Sequence, residues 1–369
     1  MILHLVFDDK FIDYSIKQFM PYGNSEFVLV QSNANEAIKF IKQQDQLTIY
    51  LRGSVPYQHF LKTLNRYNAI IIHGFYTLWQ VEVVENAPSE VKICWAFWGG
   101  DKYQRADICD SYLSPYSKFL VKIHRLLKGQ INKTDYEVPM KSLQRVDYLL
   151  DDSFENFEDV RDYIHKADLK YLWYTYYSIE ETIGKDLMQA QVEGRNLLIG
   201  HNAGIRANHI DGFFAAKKLN LHGRKIVSVM AYGDPWYRNS LMKIGKLLFG
   251  KQFQAQVDFL PRNQYNEMLR SCPTVVFPTY KPEAMGNCLT ALWMGARLYM
   301  YECNMQYQYF KRLGLKVFTI DRDFNRKNKQ VFEPLSQQDI LYNREILMRE
   351  YGFNEMDGRI RELIKEIDK

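Results

Sequence analysis

The sequence predicts an α/β protein built from two successive doubly wound domains, each a parallel sheet covered by helices. Short apolar runs of strand length alternate with helix-length segments through the first half. That is how strands buried on both faces read. The alternation restarts near residue 196 after an irregular stretch. At 369 residues with 47% hydrophobic side chains, the chain is long enough to bury two cores.

In the first half, strands are expected at residues 2–7, 27–30, 47–51, 69–72 and 91–97, with helices between them, including 35–43 and 55–65. A basic helix follows Ser111, then a strand at 145–150, a helix at 154–166 and an extended segment at 171–176. In the second half, strands are expected at 196–199, 225–230, 274–278 and 297–301. Helices are expected at 207–219, 236–248, 262–270, 287–295 and 305–313. Residues 336–369 read as helical and charged. The expected division is 1–178, 179–335 and a helical return at 336–369. Ligands of such sheets gather at the carboxyl ends of the strands, so a cleft between two Rossmann-like halves is the expected site.

Composition narrows the partners. A net charge of +5 favours anions such as phosphates, nucleotides or a membrane surface, and is too small to point to nucleic acid. Cys94, Cys109, Cys272, Cys288 and Cys303 are odd in number and widely spaced. They fit neither a disulfide framework nor a zinc site, and suggest reduced thiols in a cytoplasm. The acidic pair Asp8 and Asp9 interrupts the first apolar run, which reads as a strand, not a signal peptide. No run reaches the roughly 18 apolar residues of a membrane span, so a soluble or peripheral protein is expected.

The most informative segment is 197–209. An apolar strand runs into Gly200, a small polar loop of His201, Asn202, Ala203 and Gly204, and then a helix pattern with Ile210, Phe213, Phe214 and Leu219 on one face. A strand that ends in a small-residue loop opening a helix cradles anions, because free N–H groups and the helix dipole point to one place. Other polar strand ends join it: His73 and Gly74, Trp98 to Asp101, Tyr232 to Pro235, and Pro278 to Asn287.

Six segments together carry a resemblance: 73–79, 95–101 with Tyr103, 198–209, 229–235, 259–265 and 286–295. In order and spacing they are similar to the bacterial TDP-N-acetylfucosamine:lipid II N-acetylfucosaminyltransferases, glycosyltransferase family 56. The sequence departs from that pattern at His201, at Asn287 and Cys288, and in the charged stretch 280–284. The resemblance implies a GT-B fold, an inverting transfer without metal or other cofactor, and a thymidine-diphosphate sugar donor. It also implies a polyprenyl-diphosphate-linked glycan as acceptor, and a peripheral place on the cytoplasmic face of the inner membrane. A transferase using another deoxysugar nucleotide and a non-catalytic sugar-nucleotide-binding protein are the competing readings.

An inverting transfer needs a base for the acceptor hydroxyl and a neutraliser for the leaving diphosphate. Asp101, after the flexible Gly99 and Gly100, is the preferred base; its alternative is a helix cap. His73 is the rival base, or a structural or substrate-binding group. Trp98, Gly99, Gly100 and Tyr103 are the expected acceptor contacts. Arg206, Asn202 and Asn208 are expected at the diphosphate, where an arginine fork reads phosphate oxygens in pairs. Gly286 and Asn287 open a second helix that would serve the same anion. Glu283 would accept from the ribose, and Tyr232 with Gly233 would meet the nucleotide. For each, an ordinary capped turn, surface charge or core side chain is the alternative. Finally, Lys118, Lys122, Arg125 and Lys128 form one basic helical stripe beside Phe119, Leu120, Ile123, Leu126 and Leu127. That pattern suits an anionic membrane surface or, alternatively, a helix packed on its own core with its basic face in water.

Overall fold

The computed structural model describes residues 1–128 and 137–369, with Lys128 described by its backbone alone. The chain divides into two compact units. The first comprises 1–105, 137–178 and 353–369, and the second comprises 106–128 and 179–352.

The first unit holds seven parallel strands: β1 Ile2–Val6, β2 Ser25–Gln31, β3 Leu47–Leu51, β4 Ala69–His73, β5 Lys92–Ala96, β6 Tyr148–Asp151 and β7 Lys170–Trp173. Their order is β3-β2-β1-β4-β5-β6-β7, which reverses between β1 and β4. The central strands are buried along their whole length, as sequences such as Ala69–His73 require. The second unit holds β8 Leu197–Ile199, β9 Ile226–Val229, β10 Phe253–Gln256, β11 Thr274–Phe277, β12 Arg297–Met300 and β13 Phe318–Thr319. Their order is β10-β9-β8-β11-β12-β13, all parallel, which reverses between β8 and β11. The fold class is therefore as the sequence predicts.

Three expectations need correction. Residues 35–43 form no helix. The Asp8 carboxylate accepts the backbone N–H groups of Lys39, Phe40 and Ile41 at 2.6, 2.9 and 3.0 Å. Asp13 accepts those of Lys42 and Gln43 at 3.0 and 3.1 Å. Backbone donors committed to side chains cannot enter a helical ladder.

The segment 106–128, which the expected division puts in the first domain, packs with the second. Leu113 and Val121 join Phe213, Ile210 and Tyr237 in one core, and His124 stacks on Trp236 with ring centroids 4.1 Å apart. The helical return splits. Helix Gln337–Tyr351 stays with the second unit, while helix Phe353–Ile367 packs Ile360, Leu363 and Ile367 against Ile2, Ile16 and Phe19 of the first. The N-terminal ammonium closes on Asp368 at 2.7 Å.

Candidate active site

In the first unit, the side chains that matter follow β1, β4, β5 and β7. Asp101 lies in the short helix Gly100–Tyr103 and is 6% exposed. Its carboxylate accepts from the Trp95 indole at 2.6 Å, from the Phe75 N–H at 3.2 Å and from the Trp98 N–H at 3.3 Å. It thus holds the turn after β5, while Gly99, with φ of 79°, takes the cap position. Burial pushes the Asp101 carboxyl up to about 7, against the donors that favour its charge. A carboxyl tuned there suits a general base near neutral pH. Tyr76 stands beside it: a Cβ on Gly100 would lie 2.9 Å from the Tyr76 hydroxyl, so a larger residue there would make that ring shift.

His73 is fully buried in a chain of hydrogen bonds. An indole N–H only donates, so Trp98 donates to the Tyr176 hydroxyl at 2.5 Å. The same hydroxyl lies 2.8 Å from His73 Nδ1. His73 Nε2 lies 3.0 Å from His4 Nδ1, and His4 Nε2 in turn lies 3.3 Å from Ser25 Oγ. Burial drives His73 down to about 3 and, with the neighbouring His73, His4 also well down. His73 is therefore a neutral positioning group with a hydrogen-bonding neighbour at each ring nitrogen, linked to Trp98 through Tyr176.

Trp98 itself is half-buried among Phe7 and Phe11, with ring centroids 4.8 and 5.4 Å away. Tyr103 does not join it: the ring is 1% exposed and its hydroxyl donates to Asp159 at 3.1 Å, so it is a core residue. Tyr76 and Tyr176 add to the expected set; their places just past β4 and β7 are the signal available.

In the second unit the equivalent edge is built by the loops after β8, β9 and β11. Gly200 has φ of 76°, and a Cβ there would lie 1.9 Å from His209 Nε2, so the turn after β8 demands glycine. Asn202 folds its carbonyl oxygen back onto the Gly204 N–H at 2.6 Å. The Tyr232 hydroxyl lies beside the Asn202 side chain, and the residue is 58% exposed. Gly233 has a structural reason of its own: the loops after β8 and β9 are zipped by Ala203 N–H donating to the Tyr232 carbonyl at 2.6 Å. A Cβ on Gly233 would lie 2.4 Å from the Ala203 backbone. Asn208 is wholly buried, accepting from Ser114 N–H at 2.9 Å and donating to the Tyr112 carbonyl at 3.0 Å. It is a strut for the loop and offers a ligand nothing.

Arg206 does reach the edge. Its Nε donates to the Cys109 carbonyl at 2.8 Å, and among the described residues the two terminal nitrogens of the fork have no hydrogen-bond partner. Lys281, in the loop after β11, is buried and paired with Glu283. Burial, helped by the charge of Arg206, brings its pKa down to about 7. His201 Nε2 lies 2.9 Å from Glu283 Oε2, and burial with the Lys281 charge lowers His201 to about 3, so the ring is neutral. Its Nδ1 has no hydrogen-bond partner among the described residues. The helix Met285–Trp293 opens from Ala284, which holds a left-handed φ of 58°. Its first-turn N–H groups, including those of Gly286 and Asn287, lie beyond the reach of intrahelical acceptors. Asn287 meets the Tyr265 hydroxyl.

Arg206, Lys281, His201, Glu283 and an open helix start thus meet where the sheet order reverses between β8 and β11, the position at which doubly wound sheets hold ligands. Lys281 and His201 are additions to the expected set; a lysine between Pro278 and Pro282 on a strand end was the available sign.

Of the basic stripe, Lys118, Lys122 and Arg125 are exposed on helix Pro115–Lys128; the Lys128 side chain lies outside the described residues. Among the described residues no helix is long and apolar enough to cross a membrane.

Two doubly wound units of this topology define the GT-B fold. Solved structures agree over nearly the whole chain. Sucrose-phosphate synthase of Thermosynechococcus elongatus superposes with a TM-score of 0.64 at 10% identity, covering 99% of this chain and 98% of that one. HepE of Anabaena, solved with UDP and glucose, gives 0.61 at 12% identity, covering 99% of each chain. The lipopolysaccharide outer core galactosyltransferase WaaB gives 0.62 at 10% identity, again covering 99% of each. No protein-family model matches the chain, and no curated protein matches it.

Proposed function

We propose that this protein is a glycosyltransferase that binds a nucleoside-diphosphate sugar on its second unit and supplies the base from its first. The observation that carries this reading is the gathering of Arg206 and Lys281 beside an open helix start at the β8–β11 reversal. The Arg206 fork, Lys281 in its pair with Glu283 and the first-turn N–H groups neutralise a diphosphate leaving group without a metal ion or other cofactor. Glu283 accepts from a ribose hydroxyl, and the exposed Tyr232 ring lies against the base. The solved relatives support the class: one is named a galactosyltransferase and another was solved with UDP and glucose.

In the first unit, Asp101 removes the proton from the acceptor hydroxyl. The oxygen attacks the anomeric carbon as the diphosphate departs from the opposite face, which inverts the configuration. Trp98, set among Phe7 and Phe11, offers an apolar face to a sugar ring. Following the resemblance at 73–79, 95–101 and 198–209, the donor is a thymidine-diphosphate 6-deoxyamino sugar, 4-acetamido-4,6-dideoxygalactose. The acceptor is a polyprenyl-diphosphate-linked glycan at the cytoplasmic face of the inner membrane, as in enterobacterial common antigen synthesis. The exposed cations Lys118, Lys122 and Arg125 favour that anionic surface.

The test is mass-spectrometric detection of transfer from a panel of thymidine-, uridine- and guanosine-diphosphate sugars to a prenyl-diphosphate-linked acceptor. Consumption of the thymidine donor is expected. Exclusive use of a guanosine donor would overturn the donor assignment, and binding without transfer would make the chain a sugar-nucleotide-binding protein.

A further inference from the structure

Helix Pro115–Lys128 presents two features at once on its outer side. Phe119, Leu126 and Leu127 are 65%, 77% and 78% exposed. The side packed on the second unit is narrower, made by Ser117, Leu120, Val121 and His124. Most of the apolar side chains expected to seat this helix on a core therefore face outward. Beside them run Lys118, Lys122 and Arg125. Arg125 meets Asp110 at 3.4 Å in an exposed pair, while Lys118 and Lys122 meet no carboxylate among the described residues. A groove of about 650 Å³ lies alongside, lined by those three cations with Leu113, Val121 and Leu126 as well as Asp110 and Ser111. Large apolar groups bordered by cations fit the boundary between acyl chains and anionic headgroups.

The helix is also tied to the candidate diphosphate loop. Its lead-in, residues 109–114, is held by four hydrogen bonds from residues 206–211. Arg206 Nε donates to the Cys109 carbonyl at 2.8 Å, and Asn208 bonds the Tyr112 carbonyl at 3.0 Å and the Ser114 N–H at 2.9 Å. The buried Ser114 hydroxyl donates to Asp211. Ser114 Oγ also accepts the Ser117 N–H at 3.1 Å, which fixes the first turn of the helix. The carbonyl that orients the Arg206 fork thus belongs to the segment that starts the outward-facing helix.

We propose that helix Pro115–Lys128 docks on an anionic lipid surface, and that this docking and nucleotide-diphosphate binding at Arg206 strengthen each other through residues 109–114. The second half of this statement rests on the reading of Arg206 as a diphosphate ligand; the first does not. Docking restrains the lead-in, and a restrained lead-in holds the guanidinium fork in place before the diphosphate arrives, so less ordering remains to oppose binding. Linkage requires the converse: bound nucleotide must tighten docking by the same factor.

Titration calorimetry of the full chain with thymidine diphosphate tests this, alone, with phosphatidylcholine vesicles, and with mixed phosphatidylglycerol–phosphatidylcholine vesicles, alongside co-sedimentation with each. Binding to the mixed vesicles only, weakened by salt, is expected, with nucleotide affinity raised about fivefold or more on them. Lys118→Glu with Lys122→Glu should abolish both sedimentation and the gain while leaving nucleotide affinity in free solution unchanged. Ser114→Ala should keep both binding events and lose the gain; Asp211→Asn serves the same purpose if that variant does not fold. Failure to sediment with the mixed vesicles would overturn the docking surface. Sedimentation with unaltered nucleotide affinity would overturn the link. Sedimentation without nucleotide binding anywhere would overturn the link by removing the functional reading beneath it, with docking upheld.

Discussion

Asp101 and His73 are rivals in the sequence because each ends a strand and each has proton chemistry. Their surroundings separate them. His73 sits in a closed line of donors and acceptors from Trp98 to Ser25, with burial holding it neutral. Asp101 is tuned upward to about 7 and stands beside Tyr76 and Trp98. A base must be ionised, so transfer should rise with pH and level off above about 7. The folding consequence has the opposite sign. Between its ordinary 3.8 and about 7, Asp101 binds more proton folded than unfolded, so stability falls as pH rises through that window. Asp101→Asn should cost transfer roughly 10²-fold or more and flatten both profiles, with nucleotide affinity retained. Retained transfer in this variant, measured by product mass, would move the base elsewhere.

The strands were the most legible elements. Buried parallel strands are written as continuous apolar runs, and β1, β4 and β11 show it plainly. β10, with sequence Phe253–Gln256, and the two-residue β13 were missed because edge strands lack that run. The loop at 35–43 was misread for a different reason. Its composition tolerates a helix, but the two carboxylates that claim its N–H groups lie about thirty residues earlier, and local spacing carries no trace of them. Asp8→Ala leaves three backbone donors without their acceptor. It should destabilise the first unit by about 1 kcal/mol in urea unfolding and open residues 35–43 to protease. An unchanged midpoint and cleavage pattern would mean the loop is held by other contacts. Lys281 shows the same limit in the site: a lysine in a charged loop reads as surface until β11 is seen to end at the sheet's reversal point.

The ends of the chain meet in the first unit, which the sequence alone did not reveal. Its periodicity marked 336–369 as helical and charged, but nothing in it says that the two helices belong to different units. Helix Phe353–Ile367 buries Met356, Ile360, Leu363 and Ile367. Each such side chain is worth roughly 1.5–3 kcal/mol, so together they match the total stability of an ordinary domain. Truncation after residue 352 should therefore unfold the first unit. Hydrogen exchange would show lost protection in β1–β7 and kept protection in β8–β12; uniform protection throughout would contradict the assignment.

Under the proposed function, a nucleoside diphosphate binds the β8–β11 edge through Arg206 and Lys281. Titration calorimetry with thymidine and uridine diphosphates tests it most directly, on the native chain and on Arg206→Ala and Lys281→Ala. One of the nucleotides should bind, and Arg206→Ala should weaken it by about 2 kcal/mol, roughly thirtyfold. Lys281→Ala should weaken it too and remove the loss of affinity that accompanies deprotonation of Lys281 above about 7 in the native chain. Absence of binding, or affinity unmoved by both substitutions, would contradict the account.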